Sequence, residues 1–208
     1  APAAPLAPAA RGPALRAPRP YGYSRGHPED HCTGGESLGA PRAEVYECDG
    51  YRPNVGICLV NAAGLVFAAR RVDDPSASWQ MPQGGIDAGE DPGRALFREL
   101  EEETGLGMGS VEVMAEASGW LTYDFPTTVV GQRSGVPIRY RGQRQKWFLC
   151  RLTGDEGAID LDAALTREFS EWRWMPLDAL PAGVVAFKRH VYAAVAEEFL
   201  PLIPRAAR

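Results

Sequence analysis

Between Gly84 and Leu106 the chain reads GGIDAGEDPGRALFRELEEETGL, a glycine loop that passes directly into one short helix rich in glutamate. Asp91 followed by Pro92 predicts the helix start, because aspartate accepts hydrogen bonds from free backbone N–H groups and proline is tolerated at the first helical position. Gly105 is a natural stop. At about 100° per residue, Phe97, Leu100 and Thr104 share one side of this helix, while Glu99, Glu102 and Glu103 share another. Glu101, about 200° from Glu99, turns away. Like charges three or four positions apart cost about 0.2–0.5 kcal/mol per pair, and Arg98 offsets part of this by reaching Glu102 at i+4. A solvated acidic face is the plain explanation of such a run. Clustered carboxylate oxygens on a rigid element are also what a hard divalent cation requires, and Mg²⁺ commonly shares its shell with substrate phosphates. The loop WQMPQGGIDAGE favours the second explanation, since it sets backbone freedom beside the carboxylates.

The rest of the chain is consistent with one globular domain. It has 208 residues, 45% hydrophobic and 24% charged, enough to bury a sizeable core. No apolar run approaches the roughly 20 residues that span a bilayer, so no membrane partner is expected. Cys32, Cys48, Cys58 and Cys150 lack CxxC spacing and read as reduced thiols. The net charge of −5 disfavours broad attraction to nucleic acid, and no DNA partner is expected; a phosphate ligand needs a local basic groove or metal ions. Residues 1–28 hold four arginines and no acid, leaving −9 on the remainder. Dominated by alanine and proline, they cannot form a packed element alone, so residues 1–50 read as a disordered leader and linker. A Pro-rich tail and an organelle-targeting remnant both fit this composition, and the missing initial methionine points to a processed or truncated chain. His27 and His31 fall in the linker and receive no role.

From Tyr51 the pattern becomes an alternation of strands and helices. VGICLVNAAGLVFAARR predicts a hairpin around Asn61 to Gly64, with Gly64 at the positive-φ position. VEVMAEASGWLTYDF, RQKWFLCRL and SEWRWMPL are further strand candidates. VVAFKRHVYAAVAEEFL places Phe187, Val191, Val195 and Phe199 on one face of a second helix that covers the sheet. Trp147, Trp172 and Trp174 read as core aromatics and His190 as structural. Arg52, Arg144 and Lys146 are candidates to frame a basic entrance.

Gly84, Glu90 and the run Arg98 to Leu106 match every fixed position of the Nudix box, nine specified positions over twenty-three residues. This resemblance implies an α/β fold, the Nudix α/β/α sandwich with a central mixed sheet flanked by helices, over residues 51–203, with 204–208 as a tail. It implies hydrolysis of a nucleoside diphosphate linked to another moiety, with Mg²⁺ or Mn²⁺. Carried onto this chain, Glu99, Glu102 and Glu103 are metal-binding carboxylates, Arg98 orients them, and Gly84, Glu90 and Gly105 hold the geometry of loop and helix. The set also contains candidates for the base.

YRPNVGICL, GWLTYDFP, GQRQKWFLCRL, EFSEWRWMP and VVAFKRHVY further resemble the Nudix branch that contains bacterial RNA pyrophosphohydrolases and plant-type asymmetric diadenosine tetraphosphate hydrolases. That branch implies a metal carboxylate outside the box, for which Glu168 is the first candidate and Glu171 the second. It also implies substrate contacts by Lys188 and Tyr123, the lysine on phosphate and the tyrosine stacking on a base; Arg52 and Gln83 are further candidates for substrate contact. A solvated Lys188 and a core Tyr123 are the plain alternatives. The acidic body favours a small ligand, so the expected reaction is cleavage of diadenosine tetraphosphate to ATP and AMP. Removal of pyrophosphate from the 5′ end of triphosphorylated RNA is the alternative, followed by guanosine tetraphosphate hydrolysis and a silent nucleotide-binding module. With this branch, the leader suggests a chloroplast protein, and a cytoplasmic one otherwise.

Overall fold

Val55, Ile57 and Leu59 leave β1 (Tyr51–Val60) on one side and Cys58 and Val60 on the other, and the two sets enter separate cores. This period-two alternation gives the central sheet an apolar layer on each face. The computed structural model describes residues 50–74, 76, 78–126, 140–162 and 167–204, all within the unit His31–Arg208. The leader and linker through residue 49, with His27, His31, Cys32 and Cys48, and the last four residues lie outside the described residues.

β1 is flanked by β5 (Gly142–Leu152) in parallel and by β2 (Val66–Arg71) in antiparallel orientation. β4 (Val111–Asp124) extends the sheet beyond β5, and β6 (Phe169–Met175) extends it beyond β2. The order is β4-β5-β1-β2-β6, a mixed sheet flanked by helices, as the resemblance implied. The hairpin between β1 and β2 closes where expected: the Asn61 side-chain oxygen accepts from the backbone N–H of Ala63 and Leu65, each at 3.0 Å, and Gly64 takes φ 77°. Gly56 is required for another reason. It pairs in register with Trp147, and a Cβ there would enter the indole ring.

The helix α1 (Pro92–Thr104) starts and stops as its sequence dictates. Asp91 accepts from the N–H of Gly93 and Arg94, and Gly105 adopts φ 73°. Ala95, Leu96 and Leu100 pack on Val55, Ile57, Leu59 and Phe148. The buried side is centred on Leu96, Leu100 and Thr104, while Phe97 is only partly buried. On the opposite face, α2 (Arg189–Phe199) packs Val191, Tyr192, Val195 and Phe199 against Cys58, Val60 and Trp147. Complete burial of such aliphatic and aromatic side chains contributes about 1.5–3 kcal/mol each. Cys58 and Cys150 are free and sit in opposite layers. No helix among the described residues is long and apolar enough to cross a membrane.

Two elements depart from expectation, and both shape the site. The second helix begins at Arg189, because Val184 and Val185 are extended and a single 3-10 turn, Ala186–Lys188, precedes it. The loop before α1 contains a strand, β3 (Gln83–Gly85), which pairs with Asn54–Gly56. β2 pairs with β1 only at Val60 and Val66, so the backbone groups of the other end of β1 are open on that side. β3 satisfies them, helped by Ile57 N–H to Pro82 C=O and Ile86 N–H to Pro53 C=O.

Candidate active site

Arg98 joins the loop to the helix. Its Nε and Nη2 donate to the two oxygens of Glu90 at 2.9 and 2.7 Å, and Nη2 also donates to the Gly85 carbonyl at 2.7 Å. Its Nη1 donates to Glu99 at 2.7 Å and reaches Glu102 at 3.4 Å. The planar guanidinium therefore ties three segments together, and the i+4 contact anticipated from the sequence is the weakest of the set. Arg98 beside Glu90 holds that carboxyl below its ordinary range. Gly84 completes the junction: a Cβ there would fall on the Glu99 carboxylate.

The four expected metal carboxylates lie close together, and their charges bear on the two that are buried, Glu99 and Glu103. Glu103 is 4% exposed, and burial followed by the charges of Glu168 and Glu99 pushes its carboxyl well above the ordinary range. Burial also raises Glu99, with Arg98 opposing and Glu102 and Glu168 assisting. Glu168 thus stands beside the cluster, held by Arg71 Nη1 at 2.6 Å. Glu171, the second candidate, faces Arg70 at 2.6 Å instead. Glu102 is exposed, and so is Glu101. Among the described residues no three acidic, histidine or cysteine side chains are already gathered around one cation position, and Arg98 holds Glu99 while Arg71 holds Glu168. The donor set still fits a hard divalent cation. It is all oxygen, and Glu103 Oε1 is buried with no hydrogen-bond partner while Oε2 accepts from the Gln83 N–H at 2.8 Å.

Next to the carboxylates lies a basic and amide-lined floor. Lys188, brought in by the 3-10 turn, is 7% exposed and donates to the side-chain oxygens of Gln83 at 3.1 Å and Gln80 at 3.3 Å. Burial, then the charge of Arg71, pushes its ammonium down to about 8. The Arg52 guanidinium lies over Gly85, where a Cβ would strike it. Both cations thus lie against β3.

Other expectations are corrected. Tyr123 is 3% exposed, its ring against Phe125 and Phe187 and its hydroxyl donating to Gln143, so it offers no open face for a base. Arg144 and Lys146 do not join Arg52 in a common entrance. Gln145 and Trp147 turn toward the Lys188 face, and strand alternation sends Arg144 and Lys146 to the other, where Arg144 covers Trp120 and Lys146 pairs with Glu116. Trp147 is a core residue, Trp172 and Trp174 pack on Phe67, and His190 ties α2 to the Thr122 carbonyl at 2.8 Å. Arg71 and the buried polar residues Asn54, Gln80 and Gln145 were missed. The available signal was a polar residue at an inward strand position, in RPNVGICL and RQKWFLC.

The NUDIX domain model matches residues 50–195. An RNA pyrophosphohydrolase of Cereibacter sphaeroides is 52% identical over 153 residues, covering 73% of this chain and 91% of that protein. One of Novosphingobium aromaticivorans is 50% identical over 154 residues, covering 74% and 94%. Among solved structures, the E. coli dihydroneopterin triphosphate pyrophosphohydrolase matches with TM-score 0.54 at 16% identity, covering 73% of this chain and 98% of that one. A C. elegans Ap4A hydrolase binary complex matches with TM-score 0.50 at 16% identity, covering 72% and 97%. These two structural likenesses speak for the fold alone.

Proposed function

The chain belongs to the Nudix family, and on that premise we propose that it is an RNA pyrophosphohydrolase, in which water attacks phosphorus at the 5′ triphosphate and releases pyrophosphate, leaving a 5′ monophosphate. The observation that carries this reading is identity near one half, sustained over about nine tenths of the length of relatives that bear that name. It corrects the expectation of diadenosine tetraphosphate as the main substrate. That expectation leaned on the acidic balance of the whole chain, whereas the field at a site is set by the nearest groups, here Arg52, Arg71 and Lys188.

Nudix hydrolases generally use divalent metals, and Mg²⁺ or Mn²⁺ suits the oxygen donors of this chain. Once bound, such an ion neutralises charge on the phosphoryl oxygens and lowers the pKa of a water. Glu99, Glu103, Glu102 and Glu168 would hold it. Arg98 positions Glu99 and fixes the loop through Glu90 and Gly85. Lys188, Arg52 and the Gln83 amide bind the phosphates, and Arg71 stands with Glu168 at their edge. One of the four carboxylates takes the proton of the attacking water.

The test is release of pyrophosphate from 5′-triphosphorylated RNA by the purified protein with Mg²⁺, with Mn²⁺ and with a chelator. Release with metal, none with chelator, and a drop of at least about 100-fold in Glu103→Gln are expected, the size seen when a charge-stabilising catalytic group is lost. Absence of pyrophosphate with either ion would sink the proposal.

A further inference from the structure

Lys188 and Gln83 stand on a buried cluster of amides in which each donor and acceptor end can be assigned. The starting point is Trp147, whose indole N–H can only donate. It donates to Gln145 Oε1 at 3.2 Å, two residues away on the same face of β5. The other end of the Gln145 amide must therefore be its NH₂, which lies 2.8 Å from Asn54 Oδ1, 3.2 Å from Gln83 Oε1 and 3.4 Å from Gln143 Oε1. Lys188 is likewise only a donor, so the Gln83 atom it meets is fixed as oxygen a second time. Gln145 is wholly buried and Asn54 nearly so, so no solvent competes for these bonds.

We propose that Trp147 and Gln145 are positioning residues that lock the Gln83 side chain with its oxygen inward and its NH₂ turned to the substrate side, as a donor for a phosphate oxygen. With the Gln145 donor gone, only Lys188 would hold that oxygen, and the amide rotated by half a turn, which presents an acceptor that repels phosphate, would become more populated. The Tyr123 hydroxyl donates to the same Gln143 oxygen at 2.6 Å. The same arrangement explains how the Lys188 ammonium is held off the carboxylates: Gln80 and Gln83 give it two neutral acceptors. This inference rests on the proposal that Gln83 contacts substrate phosphate.

Gln145→Leu and Trp147→Phe test it, the second removing the indole N–H together with part of the ring volume while keeping an aromatic ring between Gly56 and Tyr192. With triphosphorylated RNA, Gln145→Leu is expected to raise KM about 10-fold with kcat within about threefold, the scale of one hydrogen bond to a charged group. Trp147→Phe should move KM the same way by less. In a Gln83→Leu background, Gln145→Leu should change KM less than about twofold, because its effect runs through Gln83. Full additivity in that background, or an unchanged KM in Trp147→Phe, would overturn the inference. Should Gln145→Leu fail to fold, Trp147→Phe measured with and without Gln83→Leu decides it by the same criteria. A wild-type protein that releases no pyrophosphate would instead count against the proposed reaction.

Discussion

Glu103 is a carboxyl that burial and two neighbouring glutamates push well above the ordinary range. Its raised pKa means that the folded, metal-free protein keeps a proton that the unfolded chain gives up from the ordinary value of 4.5 upward. The native state thus binds more protons than the unfolded one in that window, and stability must fall as pH rises through it. We expect the Tm of the metal-free protein to decrease as pH rises above the ordinary carboxyl range, a divalent cation to restore it, and Glu103→Gln to reduce the slope, with Glu99 supplying the rest. A flat or rising Tm would show that the carboxyl is not held neutral by burial. Lys188 has the opposite sign. Pushed down to about 8, it is charged below that pH and neutral above, so its hold on phosphate is lost as pH rises past it. KM for the RNA should climb above about pH 8 in the wild type, and Lys188→Arg should push that rise to higher pH, since guanidinium stays charged. On α1, Glu101→Gln should keep turnover within about twofold, since Glu101 lies exposed on the side away from the cluster, whereas Glu102→Gln should lose at least about 100-fold if Glu102 holds the cation as proposed.

At the level of elements, loop and helix act as one piece, and Gly84 is the point where they touch. A methyl group there meets the Glu99 carboxylate, which Arg98 holds from the other side. Gly84→Ala should weaken cation binding at least about 10-fold, read by titration calorimetry with Mn²⁺, while α1 keeps its Asp91 cap and Gly105 stop. Unchanged Mn²⁺ affinity would mean that Glu99 does not bind in the position seen here. This piece was legible in the sequence because all its determinants are local: a cap, a proline, a terminal glycine and a fixed spacing over one helix. β3 was not. A three-residue strand with two glycines has no side-chain alternation to read, and it exists because β2 leaves one end of β1 unpaired. Likewise, the late start of α2 depends on two extended valines in a stretch with continuous helical periodicity.

For the whole molecule, the residues that surround the carboxylates come from distant strands, and their faces depend on register. Arg71 follows a register shift between β2 and β6 at Arg70/Arg71, so simple alternation along AARRV does not predict its meeting with Glu168. Arg144 and Lys146 were misplaced for the complementary reason: on β5, parity separates them from Gln145 despite their closeness in sequence. The net charge misled in the same way, since three cations gather locally in a chain of −5. If Arg52, Arg71 and Lys188 each meet a phosphate, single-strand binding should lose about 0.7 of a logarithmic unit per contact for each tenfold rise in salt. A plot of log KM against log salt should then have a slope of about 2. A slope near zero would argue that these cations do not contact the RNA. The decisive comparison sets 5′-triphosphorylated RNA against diadenosine tetraphosphate in one metal-containing buffer, scored by kcat/KM. A preference for the RNA of at least about 10-fold, a gap of about 1.4 kcal/mol, is expected with pyrophosphate as the product; equal turnover, or a preference for the dinucleotide, would contradict the assignment.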